Sequence, residues 1–370
     1  MLNEKGFIPA HGGDVYSEGL FKGRDLIDFS SNINPLGVPK SFIDNYGEAI
    51  NSITRYPDIK YRDLIKYLGK YVGNQKYIKG DNFVLGNGAS EIIDLVISTS
   101  KQLLIIVPSF GEYEACARKW GCYIEYSYLK NDMSYDYEEI YSKLNKVDAL
   151  IIGNPNNPSG NIIDKSKFNN ILKYCELNDK IVIIDEAFIE FTRSKDLSYA
   201  KEIKDYNCLF IIRALTKFFG MPGIRFGYGI SRNLGLLIKI KEKQNPWNIN
   251  CFAEIACKYV LKDEKYIEDS KKWIYEENKF LPKELKKISF IEKVFSTECN
   301  YVLCKLKYFN GDWLYKKCME HGIVIRRASN FKGLDNSYVR FAIKSRKLNL
   351  KLIEALVLIE SIEKDIEVSK

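Results

Sequence analysis

The 370-residue sequence predicts an α/β protein that has a mainly parallel sheet flanked by helices and a second, smaller α+β domain. Three observations favour this fold class. Four short runs rich in Ile and Val are continuous rather than alternating, which is typical of strands buried on both faces. Helix-compatible stretches separate these runs. After residue 245 the chain changes character, because a long charged helical region there precedes three further candidate strands.

The predicted elements follow one another along the chain in three segments. Residues 1–40 are punctuated by Gly, Pro and Asn, and we expect them to wrap another surface rather than form a core. Residues 41–245 form the predicted large domain, which contains the apolar runs at 103–108, 149–155, 180–186 and 208–214. A helix is expected over 90–100, after the turn GNGA, because its apolar residues recur at helical spacing. Residues 246–370 form the predicted small domain, with candidate strands in NYVLCKL, GIVIRRA and YVRFAIK.

Composition and charge argue against several classes of function. The net charge of +8 is spread along the chain without a basic block, so a nucleic-acid interface is not expected, whereas an anionic small-molecule substrate accounts for the excess. The chain has no run of about 18 apolar residues, so a membrane span is not expected. The N-terminus lacks the apolar core of a signal peptide, which favours a cytoplasmic protein. Nine scattered cysteines without a C-x-x-C pair, with only two histidines, predict reduced thiols and no metal site.

Polar residues follow three consecutive candidate strands. Asn157, Asp185 and Lys217 each come shortly after an apolar run. Because ligands of open parallel sheets bind at the carboxyl ends of the strands, these three side chains are expected to meet in one crevice. Each residue alone also fits an ordinary turn or helix cap. The ordered set, with Arg225 eight residues after Lys217, is more specific.

These residue types fit pyridoxal phosphate chemistry. The amine of Lys217 can form a Schiff base with the cofactor aldehyde. Asp185 can keep the pyridine nitrogen protonated, so that the ring accepts electrons, and Asn157 can donate to the phenolic oxygen of the ring. A cofactor phosphate needs backbone amides at a helix start and a cation, and the candidates are Gly88, Ala89, Ser90, Thr216 and Arg225. Phe110 is a candidate to stack on the ring, with core packing as the alternative.

Several motifs resemble those of a known family. NPNNPSG, IIDEAF and RALTKFFGMPGIRFGYG resemble the fold-type I, aspartate aminotransferase-like enzymes that use pyridoxal 5'-phosphate, in the histidinol-phosphate aminotransferase branch. HGGDVY, DFSSNINPLGVP, RYPDIKYRDL and NPWNIN extend the resemblance, over about residues 10–345, to the L-threonine-O-3-phosphate decarboxylases of cobalamin biosynthesis. The HGG and SSNINPLG segments are the most discriminating, because aminotransferases of this branch usually lack the histidine and two glycines. The resemblance implies a homodimer whose subunits share each active site, with segment 1–40 joining the small domain and the dimer interface.

The resemblance also implies a role for each matching residue. Lys217 is the Schiff-base lysine, Asp185 pairs with the ring nitrogen, and Asn157 with the ring oxygen. Phe110 stacks on the ring. The residues that the family uses for the cofactor phosphate correspond to Thr216, Arg225 and, from the neighbouring subunit, Tyr56. The residues that it uses for a small anionic phosphorylated amino acid correspond to Arg340 for the carboxylate, Arg326 and His11 for the phosphate, and Asn32 and Asn157 nearby. The implied reaction is decarboxylation of L-threonine O-3-phosphate to (R)-1-amino-2-propanol O-2-phosphate.

Three positions depart from common patterns of the family. Ala214 stands where relatives commonly carry a hydroxyl residue that binds the cofactor phosphate, so one hydrogen bond, worth about 1 kcal/mol, is expected to be missing. Phe188 stands where many aminotransferases have a tyrosine, which favours decarboxylation. Arg327 is an extra cation beside Arg326, and it is expected either to strengthen the phosphate site or to be solvated.

Three other functions stay open at the level of sequence. A histidinol-phosphate-type aminotransferase would use nearly the same residues. Serine phosphate differs from threonine phosphate by one methyl group, which discriminates by only about 1–3 kcal/mol. A catalytically silent binding module is the third, but the joint presence of Lys217, Asp185, Asn157 and Arg225 argues against it.

Overall fold

A computed structural model describes residues 12–73 and 78–368 of the chain, the side chains of its last helix only as far as residue 362. The strands are β1 Ile27–Asp28, β2 Phe83–Gly86, β3 Gln102–Val107, β4 Tyr123–Tyr128, β5 Ala149–Gly153, β6 Ile181–Asp185, β7 Leu209–Ala214, β8 Gly227–Ser231, β9 Ile291–Val294, β10 Tyr301–Leu306, β11 Ile323–Val324, β12 Arg326–Arg327 and β13 Tyr338–Ala342. The helices are α1 Val15–Glu18, α2 Lys40–Ile43, α3 Gly47–Ser52, α4 Arg62–Val72, α5 Ala89–Ile97, α6 Glu112–Lys119, α7 Tyr137–Lys143, α8 Lys165–Leu177, α9 Leu234–Lys241, α10 Cys251–Val260, α11 Glu264–Leu285, α12 Gly311–Glu320 and α13 Arg346–Val368.

The central sheet has seven strands in the order β2-β8-β7-β6-β5-β3-β4. β8 runs antiparallel to both of its neighbours, whereas all other pairs are parallel. The predicted mainly parallel sheet is therefore confirmed, and the four predicted apolar runs form β3, β5, β6 and β7.

Both faces of this sheet are buried, which explains why its strands are continuously apolar. Ile151 and Ile183 belong to the core cluster on the side of α5, α6 and α9. Their chain neighbours Ile152 and Ile184 belong to the cluster on the other side, which includes residues of α4, α8 and α10. Successive side chains of a strand thus enter opposite cores.

A four-stranded antiparallel sheet in the order β12-β13-β10-β9 is built from the C-terminal part of the chain. β1 pairs in parallel with β11, so the segment before residue 40 is joined to this part of the molecule. Phe29, directly after β1, is completely buried. The α+β character predicted for the C-terminal part is confirmed, and the domain boundaries at residues 40 and 245 remain predictions.

Three strands of the central sheet were not predicted from the sequence: β2, β4 and β8. β8 has the sequence GYGIS, in which the glycines suggest a turn. The structure explains the glycines by close packing. A Cβ at Gly227 would lie 2.4 Å from the backbone nitrogen of Ala89, and one at Gly229 would lie 2.3 Å from the ring of Phe210.

Two kinds of feature are absent from the described residues. Within 12–73 and 78–368, no helix is both long and apolar enough to cross a bilayer. In the same ranges, no group of three or more His, Cys, Asp or Glu side chains is arranged to hold a metal ion.

Candidate active site

The register of the parallel strands brings the predicted residues together. Gly153 of β5 pairs with Asp185 of β6, and Asp185 pairs with Ile212 of β7, so the three strands end at the same level. A cavity of about 340 Å³ opens there. Its walls include eight residues predicted to hold the cofactor, namely Ala89, Ser90, Phe110, Asn157, Asp185, Thr216, Lys217 and Arg225. They also include three predicted substrate residues, namely Asn32, Arg326 and Arg340.

The remaining predicted residues lie elsewhere or cannot be placed. Gly88 caps α5 beside the cavity, and a Cβ at this position would lie 2.5 Å from Nη2 of Arg225. Tyr56 is 77% exposed and packs against the ring of Trp247, with the centroids 4.8 Å apart, on a different cavity. Its predicted contact from a neighbouring subunit remains a prediction. His11 lies outside the described residues.

Lys217 follows the end of β7 and is half-buried in the cavity wall. Its carbonyl oxygen accepts a hydrogen bond from the backbone N–H of Asn34 at 3.1 Å, so the N-terminal segment fixes the loop that carries it. Burial, reinforced by the positive charges of Arg340 and Arg225, lowers the pKa of Lys217 from 10.5 to about 8. More of this amine is therefore neutral, and hence nucleophilic, near neutral pH than in a lysine with the ordinary pKa.

Asp185 is a buried carboxyl group at the end of β6. It accepts hydrogen bonds from the phenol of Tyr113 at 2.6 Å and from the backbone N–H of Ala187 at 2.9 Å. Burial raises the pKa of Asp185, although both hydrogen bonds oppose the shift. A cationic partner in the cavity would offset the cost of holding this charge. Sequence reasoning missed Tyr113, whose only signal is its position three residues after Phe110.

Two buried arginines face the cavity from adjacent strands. Arg326 of β12 and Arg340 of β13 are register partners. Arg326 donates to Oδ1 of Asn330 at 2.8 Å. Arg340 donates to the carbonyl oxygen of Ser30 at 2.7 Å and to Oδ1 of Asn157. Within the described part of the chain, the two guanidiniums donate hydrogen bonds to neutral acceptors only.

Crowding of these cations has an electrostatic cost. Burial first, and repulsion by Arg340 and Arg327 second, lower the pKa of Arg326 to about 9. Burial lowers the pKa of Arg340 to about 10. Since arginine keeps its proton at neutral pH, the shifts reflect unfavourable burial and repulsion, which bound anions would relieve.

The cavity suits a ligand with an aromatic ring and phosphate. Arg225 lies against Gly88 at the start of α5. A guanidinium and the positive end of a helix are therefore close enough to bind the same phosphate. The acid of Asp185 lies at another part of the wall, where it can pair with a ring nitrogen. Two buried polar atoms of the described cavity wall, Oδ1 of Asn32 and Nε of Arg340, have no hydrogen-bond partner. These features fit pyridoxal phosphate together with a polar substrate.

The structure also places the three departures from the family pattern. Ala214 and Phe188 both line the cavity, and the ring of Phe188 packs edge-on against that of Tyr301 at 5.3 Å. Arg327, in contrast, is exposed, and it pairs with Asp312 at 2.7 Å. Of the two expectations for Arg327, the structure favours the solvated one.

Comparisons with known proteins agree on one family. The family model for class I and II aminotransferases matches residues 24–356. A protein of Caldanaerobacter subterraneus subsp. tengcongensis, provisionally named as a threonine-phosphate decarboxylase, is 41% identical over 351 residues, which cover 94% of this chain and 92% of the relative. The threonine-phosphate decarboxylase of Salmonella typhimurium is 30% identical over 361 residues, which cover 95% and 96% of the two chains.

A solved structure with the same fold is named for a different activity. The crystal structure of the histidinol-phosphate aminotransferase from Clostridium acetobutylicum matches with a TM-score of 0.88 at 55% identity. The match covers 91% of this chain and 99% of the other. Similar relatives thus carry the names of two different activities.

The depressed pKa of Lys217 leads to a test on protein stripped of cofactor. Trace labelling with acetic anhydride at increasing pH, followed by peptide mapping, reports the neutral fraction of each amine. The labelling of Lys217 should rise with a midpoint at about pH 8. The variant Arg340→Gln should raise this midpoint, because it removes one of the positive charges that lower it, whereas the exposed Arg327→Gln should not. A midpoint near the ordinary lysine value of about 10.4 would contradict the geometry described.

Proposed function

The chain belongs to the family of class I and II aminotransferases, and we propose that it is a decarboxylase of L-threonine O-3-phosphate within that family. It is an enzyme whose cofactor is pyridoxal 5'-phosphate. The proposed product is (R)-1-amino-2-propanol O-2-phosphate, which is a component used in cobalamin biosynthesis. The relatives named as threonine-phosphate decarboxylases, at 41% and 30% identity, support this proposal.

The observation that carries the proposal is the adjacent placement of Arg326 and Arg340. The two buried guanidiniums lie on neighbouring strands of one sheet and face one cavity. Threonine phosphate has two anionic ends, a carboxylate and a phosphate, and guanidinium groups bind both with paired hydrogen bonds. We assign the carboxylate to Arg340, which contacts Asn157, and the phosphate to Arg326. A substrate held at both ends has little freedom to rotate about Cα.

Restricted rotation determines which bond breaks. When bound, the cofactor supplies an aldehyde that captures amines and a ring that accepts the electron pair released at Cα. Two fixed anionic ends would allow Arg326 and Arg340 to present the bond from Cα to the carboxylate, rather than the bond to hydrogen, to that acceptor.

The proton balance of the reaction is assigned to two residues. Breaking the bond between Cα and the carboxylate carbon releases carbon dioxide and leaves an electron pair at Cα, where a proton must be added. Lys217, with a pKa of about 8, can hold and release a proton at neutral pH, and we assign it this step. Asp185 would hold the proton of the ring nitrogen in place by its negative charge. Tyr113 keeps the Asp185 carboxylate oriented.

The finer features of the enzyme are part of the same proposal. We infer a homodimer in which Tyr56 reaches the cofactor phosphate of the partner, which would explain why this tyrosine is 77% exposed in a single chain. We also infer that the enzyme works in the cytoplasm, where its nine cysteines would stay reduced.

Histidinol-phosphate transamination is the second candidate. The observation in its favour is the 55% identity to the Clostridium acetobutylicum protein that carries this name. Its substrate has a phosphate but no carboxylate, so the first half-reaction would leave one of the two arginines without an anion. The keto acid of the second half-reaction could then bind to Arg340.

One assay separates the candidates. The loaded enzyme is incubated with threonine phosphate in the absence of any keto acid, and carbon dioxide and the amine are measured. Parallel reactions contain serine phosphate, or histidinol phosphate with 2-oxoglutarate. We expect equal amounts of carbon dioxide and amine from threonine phosphate, with slower turnover of serine phosphate. Turnover of histidinol phosphate without release of carbon dioxide from threonine phosphate would refute the proposal.

Neighbouring arginines provide a matched pair of variants. Arg326→Gln should lower kcat/KM for threonine phosphate by about 10- to 100-fold, because a charged hydrogen bond contributes about 1.5–3 kcal/mol. Arg327→Gln should change it by less than about twofold, because an exposed ion pair contributes little. Steady-state kinetics on both variants check this expectation. Equal losses would show that the phosphate is not bound by Arg326 alone.

A further inference from the structure

A second buried ionic group lies directly behind the active-site strand ends. Glu186 follows Asp185 at the end of β6, and Arg213 lies on β7, four residues before Lys217. Glu186 is completely buried and Arg213 is 8% exposed. Arg213 donates from Nε and Nη2 to the same oxygen, Oε2 of Glu186, at 3.1 and 3.0 Å. The ion pair therefore bridges β6, which carries Asp185, and β7, which precedes Lys217.

The pair lies where the regular strand pairing stops. Asp185 and Ile212 are the last register partners of β6 and β7. The backbone N–H of Glu186 donates a hydrogen bond to the carbonyl oxygen of the same Ile212 at 2.8 Å. Beyond this point β7 ends at Ala214 and the chain turns towards Lys217. The ion pair is therefore a side-chain link between the two strands at the point where the backbone ladder ends.

The loop that follows β6 completes the coordination of the pair. Ser198 donates from Oγ to Glu186 at 2.7 Å and accepts from Nη2 of Arg213 at 2.6 Å. The backbone N–H of Tyr199 donates to the other oxygen of Glu186 at 2.6 Å. Asn154, just past the end of β5, donates to the carbonyl oxygen of Leu197 at 2.9 Å. Three strand ends and one loop are thus tied together.

The charges of this group act on Asp185. The carboxylate of Glu186 contributes to the raised pKa of Asp185, after burial as the main cause. Arg213 neutralises that carboxylate at contact distance. A second acid, Glu190, lies 3.4 Å from Nη1 of Arg213 but is not adjacent to Asp185 in the chain. Removing Arg213 alone would leave an unbalanced negative charge one residue from the catalytic acid.

We propose that Glu186 and Arg213 are positioning residues, which fix the placement of Asp185 relative to Lys217 and shield Asp185 from the charge of Glu186. They touch no reacting atom, and they act through the strand ends and through their charges. Stability alone does not account for the pair, because buried ion pairs can often be replaced by apolar groups without loss of stability. The inference rests on the proposed function for its kinetic measurement only.

The test compares variants that separate stability from positioning. In the double variant Glu186→Gln, Arg213→Met both charges are removed, so no uncompensated charge remains within the pair. Arg213→Lys keeps the charge but loses the two-donor geometry. Glu190→Gln is the matched control, since this acid contacts the same arginine away from Asp185. Each variant is measured for thermal unfolding without cofactor, for the pH midpoint of visible absorbance with pyridoxal phosphate bound, and for kcat and KM.

We expect the double variant to fold and to shift the pH midpoint by about one unit, with kcat lowered at least about tenfold and KM within about twofold, because misplacement of reacting groups reduces the rate rather than binding. Arg213→Lys should lower kcat with a smaller shift of the midpoint, and Glu190→Gln should change neither.

A folded double variant with the midpoint and kcat of the unchanged enzyme would overturn the proposal. If the double variant does not fold, Arg213→Lys decides, and unchanged kcat and midpoint in that variant would overturn the proposal equally. Failure of the unchanged enzyme to release carbon dioxide would refute the proposed function instead. The absorbance comparison would still test the positioning role in that case.

Discussion

The parallel register of β5, β6 and β7 is the constraint on which the site depends. It is set by Ile and Val side chains that enter two separate cores, so a slip of one residue would exchange every side chain between the two sides. With this register fixed, the three strands end at one level, and the residues that follow them converge. Asn157, Asp185 and Lys217 meet because of the hydrophobic pattern of these three strands, whose buried Ile and Val residues do not line the cavity.

The site that results is electrostatically expensive. Burial lowers the pKa of Lys217, Arg326 and Arg340, and the positive charge of Arg340 lowers the pKa of the other two further. Such unfavourable placement persists in a folded protein only where the surrounding packing fixes it, and it is common at functional sites. An anionic ligand would relieve this cost, so the placement of these cations favours the binding of a doubly anionic substrate.

The sequence was sufficient to predict the features that depend on the local pattern of apolar and polar residues. Continuous apolar runs predicted β3, β5, β6 and β7, and polar residues after them predicted the cavity. Features that depend on close packing were not predictable, because Gly229 of β8 suggests a turn until the ring of Phe210 is seen above it. Hydrogen-bond partners from distant segments of the chain were not predictable either. Nothing in the sequence pairs Tyr113 with Asp185 or Arg340 with Asn157, since 72 and 183 residues separate them.

The central claim is that one lysine at this convergence carries the reactive amine. The most direct measurement is reduction of the pyridoxal phosphate-loaded protein with borohydride, followed by digestion and mass spectrometry of the labelled peptide. The account predicts a single phosphopyridoxyl group, attached to Lys217. Labelling of a different lysine, or no label at Lys217, would contradict it.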